Sequence, residues 1–307
     1  MKKISYFLCI VAAASMMLAC TQKKAETTAA TATVAAAPKA DTTKVDPNLV
    51  AEGSYETLIP ATADAPAFVL INKPQISLDS LKKDKEGYYV LFDGKTLFGW
   101  RGYDKDTVPG LWGIENGTLK LIGSGTGEAQ SINGGDLIFA HKFKNFDLKF
   151  DWKVDKMTNS GVFILAREVK GEPIWYSAPE YQILDNENHP DAKATENGNR
   201  KSASLYDMIP AVPQNAKPYG QWNTGEIIVY DGSVFHFQNG KKVVEYHLWT
   251  PKWNELIANS KFKKGGDFPL AYIFMTQVGG ENREGYIGFQ DHGDTVWYRN
   301  IRVKVSE

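Results

Sequence analysis

From Tyr88 onward the chain is written in short apolar or alternating runs divided by Gly, Asn and Asp. The clearest is Phe146, Leu148, Phe150, Trp152 and Val154 alternating with Asp147, Lys149, Asp151, Lys153 and Asp155. That period of two marks a strand with one face in a core and the other in water. Trp112–Glu115 and residues 118–122 flank Asn116-Gly117, while residues 227–230 and 234–238 flank Asp231-Gly232. Asn-Gly and Asp-Gly supply two successive residues that tolerate positive φ, which a tight hairpin turn requires, so each pair predicts a β-hairpin. A third such turn, Asn239-Gly240, leads into residues 243–247. Further strands are predicted at Leu137–Phe143, Glu180–Leu184 and Val296–Val305 and over residues 162–167, 270–276 and 286–290. Residues 253–260 read as the one helix. About a dozen strands without a sustained helical period predict an all-β domain, a jelly-roll sandwich of two antiparallel sheets. The polar insertions 187–202 and 259–267 are too hydrophilic for a core and are expected as loops near the mouth of a sheet.

The N-terminus follows another grammar. Lys2 and Lys3 precede an apolar run over residues 4–18 that is short for a membrane span, and Met17-Leu18-Ala19-Cys20 resembles a bacterial lipobox. The expectation is a lipoprotein signal over residues 1–19, lipidation of Cys20, and an exported protein at the periplasmic face of a membrane or the cell surface, held there only by its lipid. Residues 20–48, rich in Ala, Thr and Lys, cannot bury enough apolar surface to order and are expected as a tether to a domain over 49–307. Cys9 and Cys20 are the only cysteines, and Cys9 leaves with the signal, so no disulfide is expected. A net charge of −1 with scattered Lys and Arg offers no basic field for a phosphate backbone, which excludes nucleic acid as an expected partner.

Candidate chemistry gathers at residues 179–186, PEYQILDN. On a strand Glu180, Gln182 and Leu184 share one face, and Tyr181 and Ile183 the other, so a carboxylate and an amide project side by side. The same stretch also reads as an ordinary strand with one wet face. Asp185 lies roughly 16 Å along an extended strand from Glu180, too far for the close carboxylate pair of a retaining glycosidase. Followed by Asn186, it also fits the turn that closes the strand. His292, where a strand runs into a turn, is placed to titrate in a cleft near neutral pH. His236 must face away from Phe235 and Phe237; if those are core, it stands on the wet or concave face. Arg167 suits a sugar hydroxyl, an enolate or a rim ion pair. Tyr206, Trp222 and Trp175 offer flat surfaces for a sugar ring, or else core. No spaced ligand motif marks zinc; a hard divalent metal ion on Glu180 and His292 is the cofactor considered, and no organic cofactor is expected.

Several segments together resemble one bacterial family: LFDGKTLFGWRG (91–102), WGIENGTLKL (112–121), NSGVFILAR (159–167), PEYQILDN, SLYDMIP (204–210), Trp222-Asn223, HFQNGKKVVEY (236–246) and IGFQDHGDTVWYRNIRVK (287–304). They are similar, in order, to the 3-keto-disaccharide hydrolase domain, also described as 3-keto-glucoside 1,2-lyase or 3-keto-2-hydroxy-glucal hydratase. The resemblance implies a concanavalin A-like jelly roll and a substrate glycoside whose glucose is oxidised to a ketone at C3. It implies loss of the C2 proton, β-elimination at C1 and hydration of the glucal. In that setting Glu180, His292 and His236 become candidate catalytic residues, and Gln182, Asp185, Arg167, Tyr206 and Trp222 candidate substrate contacts. Phe98, an insertion after Thr250 and Gln238 in the FQNG turn depart from the family's pattern. A non-catalytic sugar-binding module and a conventional glycosidase remain alternatives, since fold alone does not set function.

Overall fold

A computed structural model of the chain describes residues 49–50, 55–63, 65–125 and 130–306. The expected signal, Cys20 and the tether lie outside the described residues. Strands β1 (Leu49–Val50), β2 (Tyr55–Ile59), β3 (Phe68–Asn72) and β4 (Gln75–Ile76) form two small antiparallel pairs, β1 with β4 and β2 with β3. The body begins with β5 (Tyr89–Val90), β6 (Trp100–Gly102), β7 (Trp112–Glu115) and β8 (Thr118–Leu121). It continues through β9 (Leu137–Phe143), β10 (Phe146–Val154), β11 (Asn159–Ala166) and β12 (Glu180–Leu184). After the insertion come β13 (Asn223–Tyr230), β14 (Ser233–Gln238) and β15 (Lys241–His247). Helices α1 (Pro251–Ala258) and α2 (Pro269–Thr276) then precede β16 (Gly285–Phe289) and β17 (Val296–Val305).

These strands make two antiparallel sheets. One is eight-stranded, ordered β15-β14-β13-β10-β17-β8-β7 with β5 also on β17; the other is five-stranded, ordered β12-β11-β16-β9-β6. This is the jelly-roll sandwich expected from strand spacing. The three predicted hairpin turns form as their residues require, with positive φ at Asn116-Gly117, Asp231-Gly232 and Asn239-Gly240. In β10 every second residue is buried, and Phe150 meets Tyr181 of the opposite sheet edge to face, with ring centroids 5.5 Å apart. Phe289 of β16 packs on Tyr298 of β17 at 4.5 Å. Such aromatic pairs add about 0.5–1.5 kcal/mol each beyond their buried area, and here they lock one sheet on the other.

The five-stranded sheet is covered on both faces. Tyr181 and Ile183 enter the main core, while the other face carries a second apolar cluster of Tyr103, Ile138, Phe163, Ala166, Ile174, Ala178 and Tyr286. All residues of β11, β12 and β16 are consequently buried, which replaces the half-wet strand expected at 180–184.

One predicted strand is a helix. Residues 270–276 form α2, with Pro269 in its first turn and Leu270, Ala271, Phe274 and Met275 buried one helical turn apart. A continuous apolar run carries no period to separate strand from helix, and the decisive signal is the proline before it. Helix α1 forms close to the expected 253–260: Pro251 opens it, and the Thr250 hydroxyl caps it by accepting from the Trp253 N–H at 3.1 Å. The Trp253 indole donates to the Met275 carbonyl at 2.7 Å, tying α1 to α2.

Candidate functional site

The site lies on the covered face of the five-stranded sheet. Antiparallel register places Gly161 of β11 opposite Gln182 of β12 and Phe163 opposite Glu180, all pointing away from the main core. The Gln290 N–H bonds the Gly161 carbonyl at 2.9 Å, extending the row past β16. Beyond the free edge of β12 the segment SLYDMIP pairs with it: the Gln182 N–H donates to Ser204 O and the Tyr206 N–H to Glu180 O, each at 3.1 Å. Tyr206 is thereby set beside Glu180.

A cleft of about 290 Å³ opens here, lined by Gln130, Asp136, Asn159, Pro173, Trp175, Glu180, Tyr206, Lys261, Gln290, Asp291 and His292. Glycines shape it. A Cβ at Gly161 would overlap the Glu180 carboxylate, and one at Gly134 the Asp291 carboxylate. Asp291 is locked, accepting from Ser131 Oγ at 2.8 Å, the Gly135 N–H at 2.8 Å and the Gly293 N–H at 3.0 Å. The Asp291 N–H in turn donates to Asp136, whose other oxygen accepts from Gln130 at 2.9 Å. Burial, with the Asp291 charge beside it, pushes the Asp136 carboxyl up to about 7 against those hydrogen bonds.

Glu180 is 7% exposed, and its carboxylate makes no hydrogen bond among the described residues. Burial pushes its carboxyl up to about 8, with Asp136 and Asp191 adding to the rise and Lys261 opposing it. The Lys261 ammonium is pulled down by burial and held up by the Glu180 charge. It lies 4.1 Å from the Trp175 ring centroid and 4.6 Å from that of Tyr206. The polar insertion braces both: Tyr206 OH donates to Asp191 at 3.0 Å, Arg200 bridges Asp191 and Asp207, and Asp207 accepts the Lys261 backbone N–H at 2.7 Å. Asn159 and Gln290, 3% and 8% exposed, line the cleft, and among the described residues their side-chain oxygens have no hydrogen-bond partner; nor does Nδ1 of His292.

The structure thus brings together Glu180, His292, Tyr206 and Trp175, and disperses the rest. His236 points into the core: its Nδ1 lies 2.9 Å from the Ala203 carbonyl, its ring packs on Tyr181 and Tyr246, and burial lowers it to about 4. Phe235 and Phe237 are the outward residues of β14, so His236 takes the core face. Gln182 is fully buried, with Oε1 turned back on the Ile183 N–H at 3.1 Å. Asp185 closes the turn after β12, accepting from the Met157 N–H and Asn188 Nδ2, both at 2.8 Å. Arg167 lines a separate cleft of about 530 Å³ against Gly279, Gly280 and β2–β3. Trp222 stacks with the Arg299 guanidinium, 4.0 Å from its ring centroid, on the eight-stranded sheet. Among the described residues no group of three or more His, Cys, Asp or Glu side chains is placed to hold a metal ion, so Glu180 and His292 lack a third ligand of that kind. Lys261, Asp136, Asp291, Asn159 and Gln290 went unpredicted; the only signals were the polar loop 259–267 and the FQDHG stretch.

A covered jelly-roll sheet whose cleft is lined by titratable groups and aromatic rings has the makings of a carbohydrate-processing site. A family model described as the 3-keto-alpha-glucoside-1,2-lyase-like domain matches residues 87–304, and the chain belongs to that family. A Bacteroides thetaiotaomicron protein named 3-keto-disaccharide hydrolase is 59% identical over 241 residues, covering 75% of this chain and 83% of that one. A solved Parabacteroides distasonis protein, described as a candidate glycosyl hydrolase, superposes with a TM-score of 0.59 at 27% identity, over 72% of this chain and 95% of that one.

Proposed function

We propose that the chain cleaves glycosides whose glucose carries a ketone at C3, by removing the C2 proton and eliminating the C1 substituent, after which water adds to the glucal. The observation that carries this reading is the Glu180 carboxylate, buried in a cleft, free of hydrogen bonds among the described residues and pushed up to about 8. A hydrogen next to a ketone is acidic enough for such a base, whereas a carbon-bound hydrogen beside an ordinary alcohol is not; positioned general bases contribute about 10²–10⁴-fold.

Glu180 takes the proton, and the C2–H electron pair becomes the C2–C3 double bond of an enolate. Its collapse restores the C3 carbonyl, moves the C2–C3 π pair to make a C1–C2 double bond, breaks the bond from C1 to the leaving oxygen and sends that pair to the oxygen. His292, whose imidazole lines the same cleft, is assigned to protonate it. Water then adds at C1 and a proton at C2, so the net change is hydrolysis. Asn159 and Gln290 present unspent acceptors to sugar hydroxyls, and Trp175 and Tyr206 give the cleft an aromatic wall beside them.

The test is to incubate the purified protein with an aryl 3-keto-glucoside and with its unoxidised parent, alongside Glu180→Gln and His292→Ala. Aryl release from the keto substrate alone, lost in Glu180→Gln, is expected. Cleavage of the parent would make the protein a conventional glycosidase, and sugar binding without turnover of either would make it a binding module.

A further inference from the structure

We infer that Lys261 is the catalytic residue that meets the C3 carbonyl oxygen and so confines turnover to oxidised sugars; this rests on the elimination reading above. Three aromatic rings surround its ammonium, with Trp175, Tyr206 and Phe262 centroids 4.1, 4.6 and 5.2 Å away. Ring faces favour the cation without consuming its N–H donors. The ammonium makes no hydrogen bond or ion pair among the described residues, although Glu180 lines the same cleft. A half-buried lysine with unspent donors, beside a carboxylate that does not neutralise it by contact, is arranged for an oxygen that the ligand brings.

The C3 oxygen is the one whose need matches. When Glu180 removes the C2 proton, the carbonyl π pair moves onto that oxygen as negative charge. An alcohol at C3 develops none, so the cation would stabilise nothing on an unoxidised sugar. The main chain that carries it is held in advance: Asp207 accepts the Lys261 backbone N–H at 2.7 Å and is itself paired with Arg200 at 2.7 Å. A donor already in place as charge develops costs no reorganisation, and removing one typically costs about 10²–10³-fold in rate.

Enolate formation can be read without glycosidic cleavage, as exchange of the C2 hydrogen of 3-keto-glucose with deuterated water. Lys261→Met and Lys261→Gln, each checked by thermal melting, should slow both exchange and aryl release by about 10²–10³-fold, mostly in kcat. Lys261→Arg should retain part of the rate, and ethylammonium should restore part of it to Lys261→Ala. His292→Ala should exchange at C2 while failing to release the aryl group. Exchange by folded Lys261→Met within threefold of the wild-type rate would overturn the inference, as would a borohydride-trapped substrate adduct on Lys261, which would make the lysine a covalent nucleophile instead. Failure of the wild-type protein itself to exchange would overturn the elimination reading, separately from Lys261.

Discussion

The Glu180 carboxylate occupies the space that a side chain at Gly161 would fill. The two residues sit on neighbouring strands, with Gly161 paired to Gln182 and Glu180 paired to Phe163, so the glutamate leans diagonally over the glycine. Gly161→Ala should therefore displace the carboxylate, the flexible end of its side chain, and leave the strand in place. The expected result is a loss of about 10²-fold in kcat/KM for a keto-glycoside, of the size that misplacing a reactive group by about 1 Å produces, with melting temperature shifted by only a few degrees. Steady-state kinetics beside a thermal melt decide it.

Acidity gives a second prediction. If Glu180 must be ionised to act, kcat/KM on the keto substrate rises with pH and levels off above about 8. Stability runs the other way. The folded carboxyls of Glu180 and Asp136 are raised to about 8 and about 7, so their protonated forms contribute stability that is complete below the unfolded values and is lost as pH climbs through the folded ones. Glu180→Gln removes one of those transitions. It should melt higher than the wild type at pH 9 by about 2–4 °C for each 1 kcal/mol gained, and lose that advantage near pH 4.

His236 should behave as a core residue. With Nδ1 on the Ala203 carbonyl and its ring between Tyr181 and Tyr246, His236→Ala should cost about 2–4 kcal/mol of stability through the cavity it leaves. Its kcat at a temperature where the variant is folded should stay within about threefold of the wild type. Denaturant melts and kinetics on the same preparation separate the two effects.

Much of the fold was legible because its signals are local. Asn116-Gly117 and Asp231-Gly232 name their own turns, and β10 alternates without a fault. Residues 270–276 were not, since an all-apolar run reads alike as buried strand or buried helix. The site divides in the same way. Glu180 was legible as a carboxylate on a strand, and His292 as an imidazole at a strand end. Lys261 was not, because nothing near it in sequence announces Glu180; two insertions far apart along the chain, joined by Arg200, Asp207 and the Lys261 N–H, bring it to the cleft. The side that His236 takes is not legible either, because alternation tells which residues share a side of β14 but not which side the other sheet will cover.

In the reaction proposed for this cleft the C2–H bond breaks on Glu180 before the glycosidic bond does. Turnover of an aryl 3-keto-glucoside carrying deuterium at C2 tests it most directly. Slower aryl release than from the protium substrate is expected, a difference expressed in kcat/KM, together with loss of turnover in Glu180→Gln. Equal rates for the two isotopologues, together with cleavage of the unoxidised glucoside, would contradict it.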